Sequence, residues 1–294
     1  YYLTISAFFQ NSYINSFLEA TTNLFAFGEE ETENEKHYRS KSLRNKVGSG
    51  GSKLDVLKED LHSLPVFTSE QLALFDGSRP SKGVYLALLG RVYNVEKGRK
   101  HYAPGGGYHF FAGRDATRAF VTGDFSESGL VDDVSELGPR DLIGILDWVN
   151  FYEKGYELIG VVRGKYYDQS GRPTHQLQKV IGLMEDAMHW QQLQTKEAEI
   201  FPPCNSEYHS SVGGRVWCSS KSGGVNRDWI GVPRKLFSAA SKTFRCVCVK
   251  DFGPPLSSYP NADEKGGRGD LDNPNLSEYP GCKPTSNSCK LDKT

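Results

Sequence analysis

The run Pro104-Gly105-Gly106-Gly107 constrains this chain more than any other stretch. Proline supplies no amide donor, and three successive glycines maximise the backbone entropy lost on ordering, so the run is neither helix nor strand. Such a loop needs a local reason. Tyr108, His109, Phe110 and Phe111 follow at once, and Ala112 to Phe120 is free of proline and rich in Ala and Arg, which predicts a helix. The loop is therefore expected to open into an aromatic, helical wall.

A glycine-rich turn before a helix is commonly a phosphate cradle. Here the Gly-Lys-Ser/Thr ending is absent, and Phe110 stands where a dinucleotide fingerprint needs its third small residue. The remaining reading is a turn that lets a flat aromatic ligand lie against backbone, flanked by side chains able to reach a metal. His101, Tyr102, Tyr108 and His109 are the candidates.

The flanking sequence predicts a small mixed domain. Thr68-Ser-Glu-Gln71 fits a capping box, followed by apolar Leu72, Leu74 and Phe75, with an end at Asp76-Gly77. Tyr85-Leu-Ala-Leu-Leu and Arg91-Val-Tyr-Asn-Val read as paired strands around Gly90. Pro139 opens a helix whose Leu142, Ile145, Leu146 and Val149 share one face. Phe151 to Val162 reads as a closing strand that carries Tyr156 to the pocket.

These segments carry a family resemblance. Tyr102-Ala-Pro-Gly-Gly-Gly-Tyr-His-Phe-Phe-Ala-Gly-Arg-Asp-Ala-Thr-Arg118 resembles the haem loop of the membrane-associated progesterone receptor group, a branch of the cytochrome b5-like fold. Phe67-Thr-Ser-Glu-Gln-Leu72, the Tyr85 to Val95 segment, and Asp147-Trp148 through Gly160 extend it from about Val66 to Val162. The resemblance implies an α+β fold: a cytochrome b5-like haem-binding domain, then a long helix and a loop-rich, cysteine-containing C-terminal region. It also implies haem b, iron protoporphyrin IX, as the cofactor.

Ordinary cytochrome b5 proteins hold iron with two histidines, the first in a His-Pro-Gly-Gly motif. Tyr102 stands before Ala103-Pro104-Gly105-Gly106 here, and no second histidine matches. The resemblance implies instead that Tyr108 is the metal ligand, through its phenolate, an anionic oxygen donor suited to ferric iron. It further implies that Tyr102 hydrogen-bonds toward the ligand or a propionate and that Tyr156 does so from the other side. The family's lysine before that last tyrosine is replaced by Gly155, with Lys154 one residue earlier, which puts lysine anchoring in doubt. Without the resemblance, Tyr108 beside Phe110 and Phe111 reads as a core aromatic with a satisfied hydroxyl. His101 and His109 read as exposed loop histidines, His109 being the rival axial candidate; Arg114 and Asp115 read as a local pair or a helix cap.

The rest of the 294-residue chain is organised around this domain. Residues 1–28 form an apolar segment broken by polar residues, and Tyr1 in place of Met is expected of a fragment or of a chain whose signal or anchor was removed. Residues 29–65 read as a polar linker and a short helix carrying Leu54, Leu57 and Leu61. The haem-binding domain covers 66–165. Leu177, Val180, Ile181, Met184, Ala187 and Met188 predict an amphipathic helix within 166–200 that ends before Pro202-Pro203. Residues 201–294 hold all six cysteines, which points to disulfides; Cys246-x-Cys248 has the wrong spacing for zinc, and six cysteines allow 15 pairings. Asn275-Leu276-Ser277 is a glycosylation acceptor.

A formal net charge of -1 gives no electrostatic footprint for nucleic acid, and no stretch is long and apolar enough for a membrane helix. No nucleophile-base arrangement or carboxylate pair stands out. The resemblance implies a secreted, non-enzymatic haem-binding protein, linked to promoting neuronal differentiation through a cell-surface partner the sequence does not name. Two other readings stand beside it. One is a membrane-associated donor of haem or electrons to a cytochrome P450-type oxidase; the other is an interaction scaffold with a degenerate haem pocket.

Overall fold

The computed structural model describes residues 52–79, 82–211, 213–239, 242–259 and 267–291. The expectations for residues 1–28 and for the linker up to residue 51 lie outside these. The chain divides into two compact units, the first ending at Met188 and the second beginning at His189.

In the first unit, a four-stranded sheet has the order β1-β4-β3-β2, formed by β1 (Val66–Phe67), β2 (Tyr85–Leu88), β3 (Arg91–Asn94) and β4 (Glu157–Val162). β1 runs parallel to β4, while β2, β3 and β4 pair antiparallel. The capping box opens α1 (Ser69–Leu72): Gln71 donates its backbone N–H to Thr68 Oγ1 at 3.2 Å, and Thr68 N–H reaches Gln71 Oε1 at 2.8 Å. A single turn follows over Ala73–Phe75, ending at Asp76 as expected.

Leu89 (φ 50°) and Gly90 (φ 74°) connect β2 to β3, and positive φ at both positions matches the right-handed twist of the hairpin. Leucine in that conformation is strained, but its side chain is fully buried. Its N–H donates to Thr117 Oγ1 at 2.8 Å, and Gly90 N–H donates to Asp115 Oδ2 at 2.6 Å. Asp115 and Thr117 thus latch the turn.

Two sequence expectations are corrected here. Ala112 to Phe120 is not one helix; only α3 (Ala119–Thr122) forms, after α2 (Arg99–Tyr102). Backbone at 113–114 is engaged with β2 instead, Gly113 N–H donating to Tyr85 O and Ala87 N–H to Arg114 O. Asp115 also captures the Thr117 N–H and hydroxyl, a side-chain competitor to helix. So Asp115 caps no helix, while Arg114 does pair, with Glu127 at 3.2 Å. The second correction concerns Phe151 to Gly155, which belong to α4 (Pro139–Gly155) and not to a strand. The apolar period set by Leu142, Ile145 and Val149 continues to buried Tyr152, and helix packing outweighs local β propensity until Gly155.

α4, α3 and the sheet enclose one core containing Leu86, Leu88, Tyr93, Phe120, Leu146 and Val149. The same core includes Leu57, from a 3-10 turn at Asp55–Lys58, and Leu54 and Leu61 on either side of it. It also includes Leu177, Val180, Met184 and Ala187 from α5 (His175–Ile200). Arg91, from β3, is fully buried: it pairs with Glu153 of α4 at 2.6 Å and donates to the Val56 carbonyl at 2.9 Å.

The second unit contains two three-stranded antiparallel sheets. One has the order β10-β6-β5, from β5 (Asn205–His209), β6 (Gly213–Trp217) and β10 (Ser288–Leu291). The other has the order β8-β7-β9, from β7 (Val232–Ser238), β8 (Thr243–Val249) and β9 (Leu276–Ser277). All six cysteines are paired, as Cys204–Cys246, Cys218–Cys248 and Cys282–Cys289. The first two bridges tie adjacent strands and loops around buried Trp229, supplying core where few aliphatic residues are available.

Candidate functional site

The site is built from α2, the loop after it, and the end of α4. α2 stops because Pro104 cannot continue it, which leaves Tyr102 on its last turn pointing into the core at 1% exposure. The loop then closes on itself: Gly106 N–H donates to Ala103 O and Tyr108 N–H to His101 O, both at 2.9 Å. The three glycines are not equivalent. A Cβ on Gly106 would sit 2.3 Å from the His101 carbonyl oxygen, and Gly105 adopts φ +91°. Gly107 has neither constraint, and like Gly105 it would meet nothing within 4 Å.

This closure brings four phenols together. The Tyr108 ring centroid lies 6.2 Å from that of Tyr102, and Tyr102 lies 6.3 Å from Tyr156. Tyr152 stands one turn before Tyr156 on α4, their rings 5.3 Å apart. Tyr108 and Tyr156 are half-buried, whereas Tyr102 and Tyr152 are fully buried and their hydroxyls lie 2.9 Å apart. All three residues expected at the site, Tyr102, Tyr108 and Tyr156, therefore lie in one cluster. The Tyr102 hydroxyl, however, is engaged with Tyr152, a residue the sequence reading left out. Its signal was the spacing of Tyr152 and Tyr156, visible only once 151–155 is read as helix.

Burial pushes Tyr102 and Tyr152 well above the ordinary phenol range, with neighbouring phenols adding to the effect for Tyr102. Tyr156 is raised too, chiefly by burial, with the Tyr102 hydroxyl acting in the opposite direction. These three phenols stay protonated at neutral pH and can serve as hydrogen-bond donors.

The histidines differ from expectation. His109 Nε2 donates to the Asp76 carbonyl at 3.1 Å, so that nitrogen is committed to backbone at the start of the domain. His101 is not an exposed loop residue: its Nε2 is buried without a hydrogen-bond partner, and its ring lies 6.1 Å from that of Tyr108. Burial lowers its basicity. Gly155 closes α4 directly before Tyr156, and Lys154 is exposed.

A flat aromatic cofactor fits these residues on three observations: half-buried phenols at the rim, clear space beyond Gly105 and Gly107, and an orphaned polar atom at His101. Two surface clefts are found elsewhere. One of about 390 Å³ is lined by Lys58, Asp60, His62 and Arg172, and one of about 490 Å³ in the second unit by Trp229, Ile230 and Phe252. Neither contains a residue of the tyrosine cluster.

Sheet order, loop and tyrosine cluster define a cytochrome b5-like domain, and residues 68–156 match the family model described as Cytochrome b5-like Heme/Steroid binding domain. A solved Arabidopsis thaliana protein, described as having a cytochrome b5 like fold, is 35% identical over 35% of this chain and 94% of its own, with a TM-score of 0.33. Longer matches narrow the class. A "Neuferricin homolog" of Caenorhabditis elegans is 56% identical over 77% of this chain and 69% of its own length. "Neuferricin" of Homo sapiens is 51% identical over 77% of this chain and 86% of its own. The chain belongs to the neuferricin family.

Proposed function

We propose that this chain is an extracellular, non-enzymatic haem-binding protein in which Tyr108 would hold the iron, and that it acts in promoting neuronal differentiation. The observation that carries the reading is the placement of half-buried Tyr108 among three neutral phenols, beside a loop whose glycines leave open space. Bound haem b supplies a ferric centre for which an anionic phenolate oxygen is a favourable donor. Tyr108 would hold the iron through its phenolic oxygen, the metal charge favouring loss of the phenolic proton to solvent. Tyr156 donates a hydrogen bond from the rim, while Tyr102, held by Tyr152, fixes the wall behind. Gly105 and Gly107 keep side chains out of the ligand's path.

Three disulfides and an exposed Asn275 in the Asn-Leu-Ser acceptor support an oxidising, secretory setting.

Reconstitution of the purified chain with ferric haem tests this. The expected result is a high-spin phenolate-type absorption spectrum that Tyr108→Phe abolishes. An unchanged spectrum in that variant moves the ligand elsewhere. Failure of the unaltered chain to bind at micromolar haem leaves an interaction scaffold as the better account.

A further inference from the structure

Two phenylalanines of the second unit stand in the open. Phe237 on β7 and Phe244 on β8 are directly opposite in the strand register, their ring centroids are 5.1 Å apart, and they are 39% and 57% exposed. Strand alternation sets the face they share. Leu236 and Val247 point into the core of this unit, with Leu276 of β9 packed against it, so Phe237 and Phe244 point the other way.

The same alternation places Asn275. β7 pairs with β9 through Lys235–Ser277 and Leu236–Leu276, and the ladder goes one step further, Phe237 N–H donating to Asn275 O at 2.9 Å. Asn275 is therefore the cross-strand neighbour of Phe237 on the outer face, as Phe244 is on the other side. The turn that delivers it is fixed: Asn275 N–H donates to Asn273 Oδ1 and Leu276 N–H to Asn273 O, both at 3.0 Å, and Asn273 is itself buried. β9 is an edge strand, Asn275 and Ser277 are exposed, and Asn275-Leu276-Ser277 is the chain's one Asn-x-Ser/Thr acceptor.

We propose that Asn275 carries an N-linked glycan whose first N-acetylglucosamine lies over Phe237 and Phe244, so that the two rings are a platform for the chain's own sugar. The inference rests on the secretory setting proposed above, where a lipid diphosphate-linked oligosaccharide is the sugar donor. Asn275 Nδ2 forms a bond to C1 of the first sugar, and the C1–O bond to the diphosphate breaks. The lipid diphosphate leaves with the electron pair of that bond, and the displaced amide proton goes to a base of the transferase. One face of the sugar ring is made of C–H groups, which match the negative face of an aromatic ring. The sugar is tethered one strand away, so it reaches the rings without the loss of translational freedom that a free ligand incurs. Lys235, on the same face of β7, holds its ammonium 5.6 Å from the Phe244 ring and offers donors to the acetamido oxygen at the rim. A glycan seated here also shields the β9 edge, whose open backbone groups are otherwise free to pair with another chain.

The test uses the full chain expressed in animal cells, with mass spectrometry of the secreted protein locating the sugar. The expected result is a glycan on Asn275. Secreted protein with Asn275 bare overturns the inference and leaves the secretory reading standing, whereas a chain that is never secreted removes both. The seat is read from thermal unfolding. Protein trimmed by an endoglycosidase to a single N-acetylglucosamine is compared with Asn275→Gln, in the parent and in the double variant Phe237→Thr with Phe244→Thr. In the parent the trimmed form should melt higher by on the order of 4 °C, and in the double variant that difference should vanish. An equal difference in both backgrounds shows that the rings do not seat the sugar. Should the double variant fail to fold, the proton spectrum of the trimmed parent decides. The C–H resonances of the first sugar should lie upfield of those in a glycopeptide of residues 273–278, and unshifted resonances overturn the proposal.

Discussion

Arg91 Nη2 meets Glu153 Oε1 at 2.6 Å, with the arginine side chain wholly removed from solvent and the carboxylate nearly so. The same guanidinium bonds the Val56 carbonyl and reaches Glu59, so one side chain joins β3, α4 and the segment before the domain. Arg91→Met leaves Glu153 as a buried carboxylate without its cation. We expect a loss of about 3–5 kcal/mol in the first unit's stability, read by denaturant unfolding. A loss under about 1 kcal/mol, the usual worth of an exposed pair, would show that solvent reaches the site.

Gly106 and Gly107 differ in a way that substitution separates. Gly106→Ala drives a Cβ into the His101 carbonyl and should cost about 1–3 kcal/mol, whereas Gly107→Ala should be near neutral in thermal unfolding. If Gly107→Ala folds normally yet weakens haem binding, the ligand lies against that backbone. Equal stability losses in the two variants would contradict the loop geometry.

Asp115 makes stability depend on pH in a definite direction. Burial pushes its carboxyl up to about 6, against the opposing hydrogen bond from Thr117. A carboxyl raised above its unfolded value holds its proton more tightly in the native state. Its contribution is therefore fully present below about pH 4 and is lost as pH rises through about 6. The size is on the order of 1–2 kcal/mol once discounted for the part of the side chain that touches solvent. Melting temperatures of the parent and of Asp115→Asn, measured from pH 4 to pH 7, should converge at the acid end, separate between about pH 4 and pH 6, and stay apart by a constant amount above that. Parallel curves would refute the assignment.

The disulfides of the second unit should contribute unequally. Loop closure over separations of 42, 30 and 7 residues predicts about 4, 4 and 2 kcal/mol respectively for Cys204–Cys246, Cys218–Cys248 and Cys282–Cys289. Paired Cys→Ser variants, unfolded in denaturant, give these values. Loss of the Cys282–Cys289 bridge should be the mildest, and a reversed order would point to strain or residual unfolded structure.

Much of the site could be read from sequence because its signals are local. Pro104 and the glycines after it must form a loop, Thr68 and Gln71 must cap a helix, and Tyr108 must follow the loop whatever the rest of the chain does. The placements of Phe151 to Gly155, and of Ala112 to Arg118, were not local. In the first, burial of Tyr152 carried the helix past a β-favouring stretch; in the second, β2 and Asp115 took backbone donors and acceptors that a helix would have used.

The sequence by itself determined which residues could present oxygen to a metal, where the chain had to turn, and that six cysteines belonged to one region. Only the tertiary structure decided that Tyr102 faces Tyr152, that His101 Nε2 is buried and His109 Nε2 is bonded to the Asp76 carbonyl, which of the cysteine pairings forms, and that Arg91 is an interior residue. The physical reason is range. Turn and capping preferences are set within a few residues, whereas burial and hydrogen-bond partnership depend on segments tens of residues apart arriving at the same place.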